Sequence, residues 1–170
     1  VSFSDILILM QSVSNHAETV SRILMQYGIP SISESGNSFL SSYEISLLMD
    51  ALRVVDNPRQ DVPLADVMLS PMFSFTNEDL AEIRLYGKKG RGKTFYDRVL
   101  ALLTDQNLLE KKEDLYRKVE EFIETLERYR SLSTILSIHD LLDGMIRERS
   151  LDAYFASMPG GEYRMKNVRI

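Results

Sequence analysis

Apolar and polar positions follow two regimes along the chain. Asp5-Ile-Leu-Ile-Leu-Met10 is a continuous apolar run rich in branched residues. It predicts a buried strand of the parallel-sheet type. Ser14 can cap a helix. From Asn15 to Tyr27, Val20, Ile23, Leu24 and Tyr27 recur at helical spacing, and Gly28 closes the segment. Ile29-Pro30-Ser-Ile-Ser33 reads as extended, because a residue before proline avoids the helical region. Together these segments predict a strand–helix–strand unit with parallel strands and a right-handed crossover. Gly36 marks a turn.

From Ser41 onward the period is helical. Ser41 or Ser42 can cap, with Glu44 in the first turn and Ile45, Leu48, Met49, Leu52 and Val55 as an apolar stripe. Asn57-Pro58 ends that helix. A short helix is expected over Leu64–Leu69, stopped by Pro71. Thr76-Asn-Glu-Asp79 has the form of a capping box for Leu80–Tyr86. Further helices are expected over Thr94–Leu103 and Leu108–Arg130, the second with Leu115, Val119, Phe122, Leu126 and Tyr129 on one face. Ser137-Ile-His-Asp140 caps a helix running to about Glu148, and Met158-Pro-Gly-Gly161 breaks the chain. The fold class expected is α/β to mainly α: a partial strand–helix–strand unit followed by an all-helical subdomain. The boundary falls near Asp56–Pro58.

Composition narrows the function classes. The chain has 170 residues, 44% of them hydrophobic and 26% charged, enough apolar material for a core. With no cysteine and only two histidines, His16 and His139, neither a disulfide framework nor a thiolate or histidine metal site is expected. No apolar run is long enough to span a bilayer and no signal peptide opens the chain, so no membrane partner is expected and the location expected is cytoplasmic. The net charge of −5 confines any nucleic-acid contact to a local basic patch. The chain starts at Val1, close to a strand, and stops at Arg169-Ile170 with no helix-ending signal. Both ends read as cut from something larger.

One catalytic motif is present to the letter. Gly87-Lys-Lys-Gly-Arg-Gly-Lys93-Thr94 fits G-x-x-x-x-G-K-[ST], the phosphate loop. A working phosphate loop follows a buried apolar strand, yet Asp79–Tyr86 has the pattern of a charged amphipathic helix. No apolar run ending in Asp, as magnesium binding requires, occurs downstream. The structural reading is a basic loop between helices. Lys88, Lys89, Arg91, Lys93 and Arg98 form the one dense basic cluster of an acidic chain, flanked by Tyr86, Phe95 and Tyr96. Lys88, Lys89, Arg91 and Lys93 are therefore candidates for contact with a DNA backbone. The acidic residues of Glu110–Glu127 alternate with lysine and arginine at helical spacing and read as a solvated face.

Several segments resemble a known family. Asp5-Ile-Leu-Ile-Leu-Met-Gln-Ser12 resembles motif IV of UvrD-like DNA helicases, and Tyr27-Gly-Ile-Pro30 is similar to a segment that follows it. Gly36, Phe39, Glu44-Ile45 and Leu52-Arg53 are similar to the family's motif IVa. Leu52–Leu64, Leu69–Thr76 and Met158-Pro-Gly-Gly-Glu-Tyr-Arg-Met-Lys-Asn167 are similar to segments of the AddA-type helicase–nuclease proteins. The pieces lie in order over nearly the whole chain. The resemblance implies that residues 1–56 are part of the second RecA-like motor domain, with motifs IV and IVa. It implies that 57–170 begin a helical insertion of the 2B type.

The implied parent is an ATP-dependent helicase and exonuclease that processes double-strand breaks for recombinational repair. It would use ATP and magnesium, bind DNA and work with a second, AddB-like nuclease subunit. This chain would need no cofactor of its own, would contact the rest of its own polypeptide and would be inactive alone. Two positions depart from the family. Where motif IV carries an arginine for the γ-phosphate, this chain has Gln11, a hydrogen-bond donor without charge. Where relatives grip duplex DNA with a Gly-Ile-Gly turn, it has Ser74-Phe75-Thr76. Two rival readings are a non-enzymatic interaction module docking through Leu108–Arg130 and a small nucleotide-binding protein using Gly87–Thr94.

Overall fold

The computed structural model describes residues 2–11, 13–31, 39–86, 94–104 and 112–169. Among them the chain is mostly helical and carries no β-strand. By compactness it divides into two units, Val1–Ser46 with Asp152–Ile170, and Leu47–Leu151.

In the first unit a short turn at Phe3–Asp5 precedes α1 (Val13–Gln26). The strand expected at Asp5–Met10 is not formed: Ile6, Leu7, Ile8 and Leu9 join no ladder, and they are 62, 79, 54 and 85% exposed. An apolar strand is stable only when ladders pair its edges and other layers cover its faces, and the described residues supply neither. The second expected strand is extended as far as Ser31, and the rest of it lies outside the described residues. The intervening helix is present and ends as expected. Gly28 has φ +73°, the Ile29 N–H donates to the Leu24 carbonyl at 2.9 Å and the Gly28 N–H to that of Met25 at 3.0 Å, a Schellman closure. Past it, the Ser21 and Ser31 hydroxyls meet at 2.7 Å and hold the outgoing chain against α1.

Helix α2 (Tyr43–Asp56) starts in this unit. Its buried face is broader than the expected stripe. Met49 is 43% exposed, while Leu47, Ala51 and Val54 join Ile45, Leu48 and Val55 in the core. The face runs through Glu44, Leu47, Ala51 and Val54 at i, i+3, i+7 and i+10, and a stripe defined by large residues alone misses it.

The second unit contains α3 (Asp61–Leu69), α4 (Asn77–Tyr86), α5 (Phe95–Leu103), α6 (Glu113–Leu132) and α7 (Ile138–Glu148). Helix α3 starts three residues before the predicted Leu64 because Pro63 sits in its first turn, where proline costs no helical hydrogen bond. The Thr76/Asp79 capping box closes in both directions, at 2.9 and 3.1 Å. Ser137 caps α7 through the Asp140 N–H at 3.1 Å. Helix α6 buries Leu115, Val119, Phe122, Leu126 and Tyr129, the face expected from its period. Phe122, wholly buried, takes the edges of Phe73 (centroids 4.7 Å apart) and Phe75 (6.1 Å). Arg149 lies over Phe73 at 4.7 Å and donates to Thr125 at 2.7 Å and Glu121 at 2.8 Å.

Two further helices follow, α8 (Leu151–Ser157) and α9 (Gly161–Val168), neither of which the periodicity announced. They flank the predicted break at Met158–Gly161. Replacing Phe122 with Ala is expected to cost about 3–5 kcal/mol in the second unit. Urea denaturation with a near-ultraviolet probe checks this, and a loss below about 1 kcal/mol contradicts the stacked arrangement.

Candidate functional site

The site is built where helix α2 begins. Glu44 occupies its first turn, where unpaired N–H groups and the helix dipole favour an anion. Its residue surface is only 1% exposed, so the carboxylate needs donors of its own. They come from α9. Arg164 Nη1 donates to Glu44 Oε2 at 2.5 Å, and Asn167 Nδ2 donates to Glu44 Oε1 at 2.8 Å. Each carboxylate oxygen thus receives one side-chain donor. Arg164 and Asn167 lie three residues apart, on one face of a helix.

The other arm of the guanidinium sets the turn before α9. Arg164 Nε donates to the Pro159 carbonyl at 3.1 Å. Gly160 holds φ +73°, a conformation that favours glycine, and a Cβ there would stand 3.4 Å from Met25 Sδ of α1. A Cβ at Gly161 would lie 2.1 Å from the Ala156 carbonyl oxygen, so no larger residue fits without displacing the backbone. Beside Glu44, Tyr43 meets wholly buried Phe155 edge-on at 6.3 Å. The Pro-Gly-Gly-Glu-x-Arg-x-x-Asn spacing therefore has a single geometric purpose: a tight turn that aims two donors at one buried carboxylate.

Electrostatics agree with this geometry. Burial pushes the Glu44 pKa up. The Asn167 hydrogen bond, the Glu44 backbone N–H and the Arg164 charge together outweigh it and hold the carboxyl below its usual 4.5. The cluster binds an internal charge and leaves no free acid or base for catalysis.

The other sequence candidates are dispersed. Gln11 is exposed, in the bend before α1. Phe39 is 45% exposed; its carbonyl accepts the Ser42 N–H at 3.2 Å and the Ser42 hydroxyl at 2.7 Å, fixing the turn into α2. Arg53 pairs with Asp50 at 2.8 Å. Gly36, Lys88, Lys89, Arg91 and Lys93 lie outside the described residues. Arg164 and Asn167 were not singled out from sequence, although both stand in the Met158–Asn167 segment; an arginine and an amide on one face of a glycine-led helix were the available signal.

The flanks of the Gly87–Thr94 loop exclude a phosphate-loop context. The preceding element is helix α4, not a strand. Thr94, the position that would meet magnesium, is the N-cap of α5: its hydroxyl accepts the Asp97 N–H at 3.2 Å, and the Asp97 carboxylate accepts the Thr94 N–H at 3.2 Å. The Ser74-Phe75-Thr76 turn has likewise committed its N–H groups. Ser74 donates to Ser70 at 2.8 Å, Phe75 to Met68 at 3.0 Å and Thr76 to Asp79 at 2.9 Å. Ser74 tolerates φ 54° there. No described helix is long and apolar enough to cross a membrane.

No protein-family model matches the chain. Curated relatives match it end to end. It is 33% identical over 167 residues to the ATP-dependent helicase/nuclease AddA-type protein of Geobacillus kaustophilus (strain HTA426), covering 98% of this chain and 13% of that protein. It is 35% identical to the protein of the same name from Desulforamulus reducens, covering 100% of this chain and 13% of the relative. It is 34% identical to that of Heliobacterium modesticaldum, covering 99% and 12%. The chain therefore spans about an eighth of the length of the relatives it matches.

Glu44→Gln is expected to cost about 1–3 kcal/mol at neutral pH. A depressed carboxylate pKa stabilises the fold above the unfolded value and loses that contribution as pH falls through the folded one. The difference between the two proteins should therefore shrink as pH drops below the usual 4.5. Denaturation midpoints from pH 7 to 3 check this, and a difference independent of pH contradicts it. Gly161→Ala is expected to destabilise by about 1–3 kcal/mol through overpacking, more than Gly160→Ala, as paired melting curves would show.

Proposed function

Since this chain belongs to the AddA-type family of ATP-dependent helicase/nuclease proteins, corresponding to one stretch of them, we propose that it supplies part of the second motor domain and the start of a helical insertion in such an enzyme. The observation that carries this reading is the end-to-end similarity to one stretch of these proteins in several organisms. The Glu44 cluster supports it, because it joins the motif IVa resemblance to the Met158–Asn167 resemblance in one piece of structure.

On this reading residues 1–56 belong to the motor and 57–170 to the insertion. Ile6–Leu9 is a strand of a RecA-like sheet whose neighbours come from elsewhere in the polypeptide. That accounts for an apolar run left exposed here. The parent enzyme hydrolyses ATP with magnesium, moves on DNA and processes double-strand breaks for recombinational repair, in the cytoplasm and with a second nuclease subunit.

The described residues do not form a nucleotide site by themselves. Gln11, exposed in the motif IV position, offers one neutral donor, and Thr94 is engaged as a helix cap. The isolated chain is accordingly inactive, and its contribution is scaffold and DNA contact. Lys88, Lys89, Arg91 and Lys93 touch the DNA backbone from the stretch between α4 and α5.

Changing these four residues to Ala in the full-length enzyme is expected to weaken binding to a duplex end at least tenfold at low salt. Each lost phosphate contact lowers the slope of log affinity against log salt by about 0.9. Unaltered affinity and slope remove the loop from the DNA interface. Sustained ATP turnover by the purified chain of 170 residues would overturn the assignment of the chemistry to the rest of the enzyme.

A further inference from the structure

The chain leaves the first compact unit after Ser46 and returns to it at Asp152. Glu44 lies two residues before the departure, and Arg164 and Asn167 lie shortly after the return. The hydrogen bonds among them are internal to the first unit, so the two crossing points are tied within one body. The tie is directional. A helix turned by one residue rotates its side chains by about 100°, and then neither Arg164 nor Asn167 reaches its oxygen. Apolar contacts such as Tyr43 on Phe155 tolerate sliding; a buried carboxylate with two fixed donors does not. The second bond of Arg164, to the Pro159 carbonyl, extends the same constraint to the turn. Lysine, with one ammonium, cannot serve both acceptors in the same geometry.

We propose that Glu44, Arg164 and Asn167 are positioning residues that lock both ends of the 47–151 excursion into the first unit, and that this lock couples ATP turnover to DNA unwinding. The second half rests on the function proposed above. Other ion pairs make a contrast: Arg128–Glu148 and Arg117–Glu113 are solvent-exposed pairs within the second unit, and neither closes the excursion.

Hydrogen–deuterium exchange on the chain tests the lock. In Glu44→Gln, amides of 161–168 should exchange at least tenfold faster, while those of 119–129 keep their rates. In Arg164→Lys the acceleration should be intermediate. Unchanged exchange at 161–168, or equal acceleration in both segments, overturns the lock. Coupling is tested in the full-length enzyme with its second nuclease subunit. Glu44→Gln should keep DNA-stimulated ATP turnover within twofold and lower base pairs unwound per ATP at least fivefold, whereas Glu148→Gln changes neither. Turnover and unwinding falling together, or neither falling, overturns the coupling. A wild-type enzyme without ATP-driven unwinding overturns the proposed function instead, and the exchange result then decides the lock alone.

Discussion

Taking a carboxylate out of water imposes a demand that apolar packing cannot meet. An ionised group in a low-dielectric surrounding is costly by several kcal/mol unless donors saturate it. Glu44 makes that demand at the start of α2, and much of the first unit follows from it. Arg164 and Asn167 must sit on one face of a helix, so α9 must exist. Arg164 must be held at its other arm, so the Pro159 carbonyl must face it. That carbonyl faces inward only if the chain turns tightly enough for Gly160 to take a positive φ and Gly161 to approach Ala156. A charge with no catalytic task thus dictates residues more than a hundred positions away.

The second unit is ordered differently. Its centre is the Phe73, Phe75 and Phe122 cluster, where burial and edge-to-face geometry do most of the work. Cations frame that cluster: Arg149 over Phe73 and Lys118 near Phe75, with Lys118 also paired to Asp79 at 2.9 Å. Pairs farther out, such as Arg147–Asp143, are solvent-exposed and contribute little each. This unit can absorb surface substitutions that the Glu44 cluster cannot, since its energy is spread over area.

Local periodicity made α4 to α7 legible, because their caps and apolar faces are encoded within a few residues: Thr76 with Asp79, and Ser137 with Asp140. It missed α8 and α9, where the helices are about two turns long and proline and glycines punctuate them. It overstated Ile6–Met10, because an apolar run reports the need for a sheet and says nothing of whether neighbouring strands are supplied. The site was half visible. Glu44 stood out through resemblance, but its partners are 120 and 123 residues away, beyond the reach of any local pattern.

The Gly87–Thr94 stretch carries the same lesson from the opposite side. Its letters satisfy a nucleotide-binding motif, yet Thr94 satisfies the first turn of α5 and the element before the loop is helical. A phosphate loop works because a strand delivers glycine N–H groups to a fixed point above a helix. Without the strand, the same run of lysines and arginine is a density of positive charge suited to a polyanion and not to a single bound phosphate. Chemistry in this chain therefore follows the element that presents a residue more than the residue itself. A buried glutamate becomes a fastener because α9 answers it, and a perfect catalytic string becomes a basic loop because α4 precedes it.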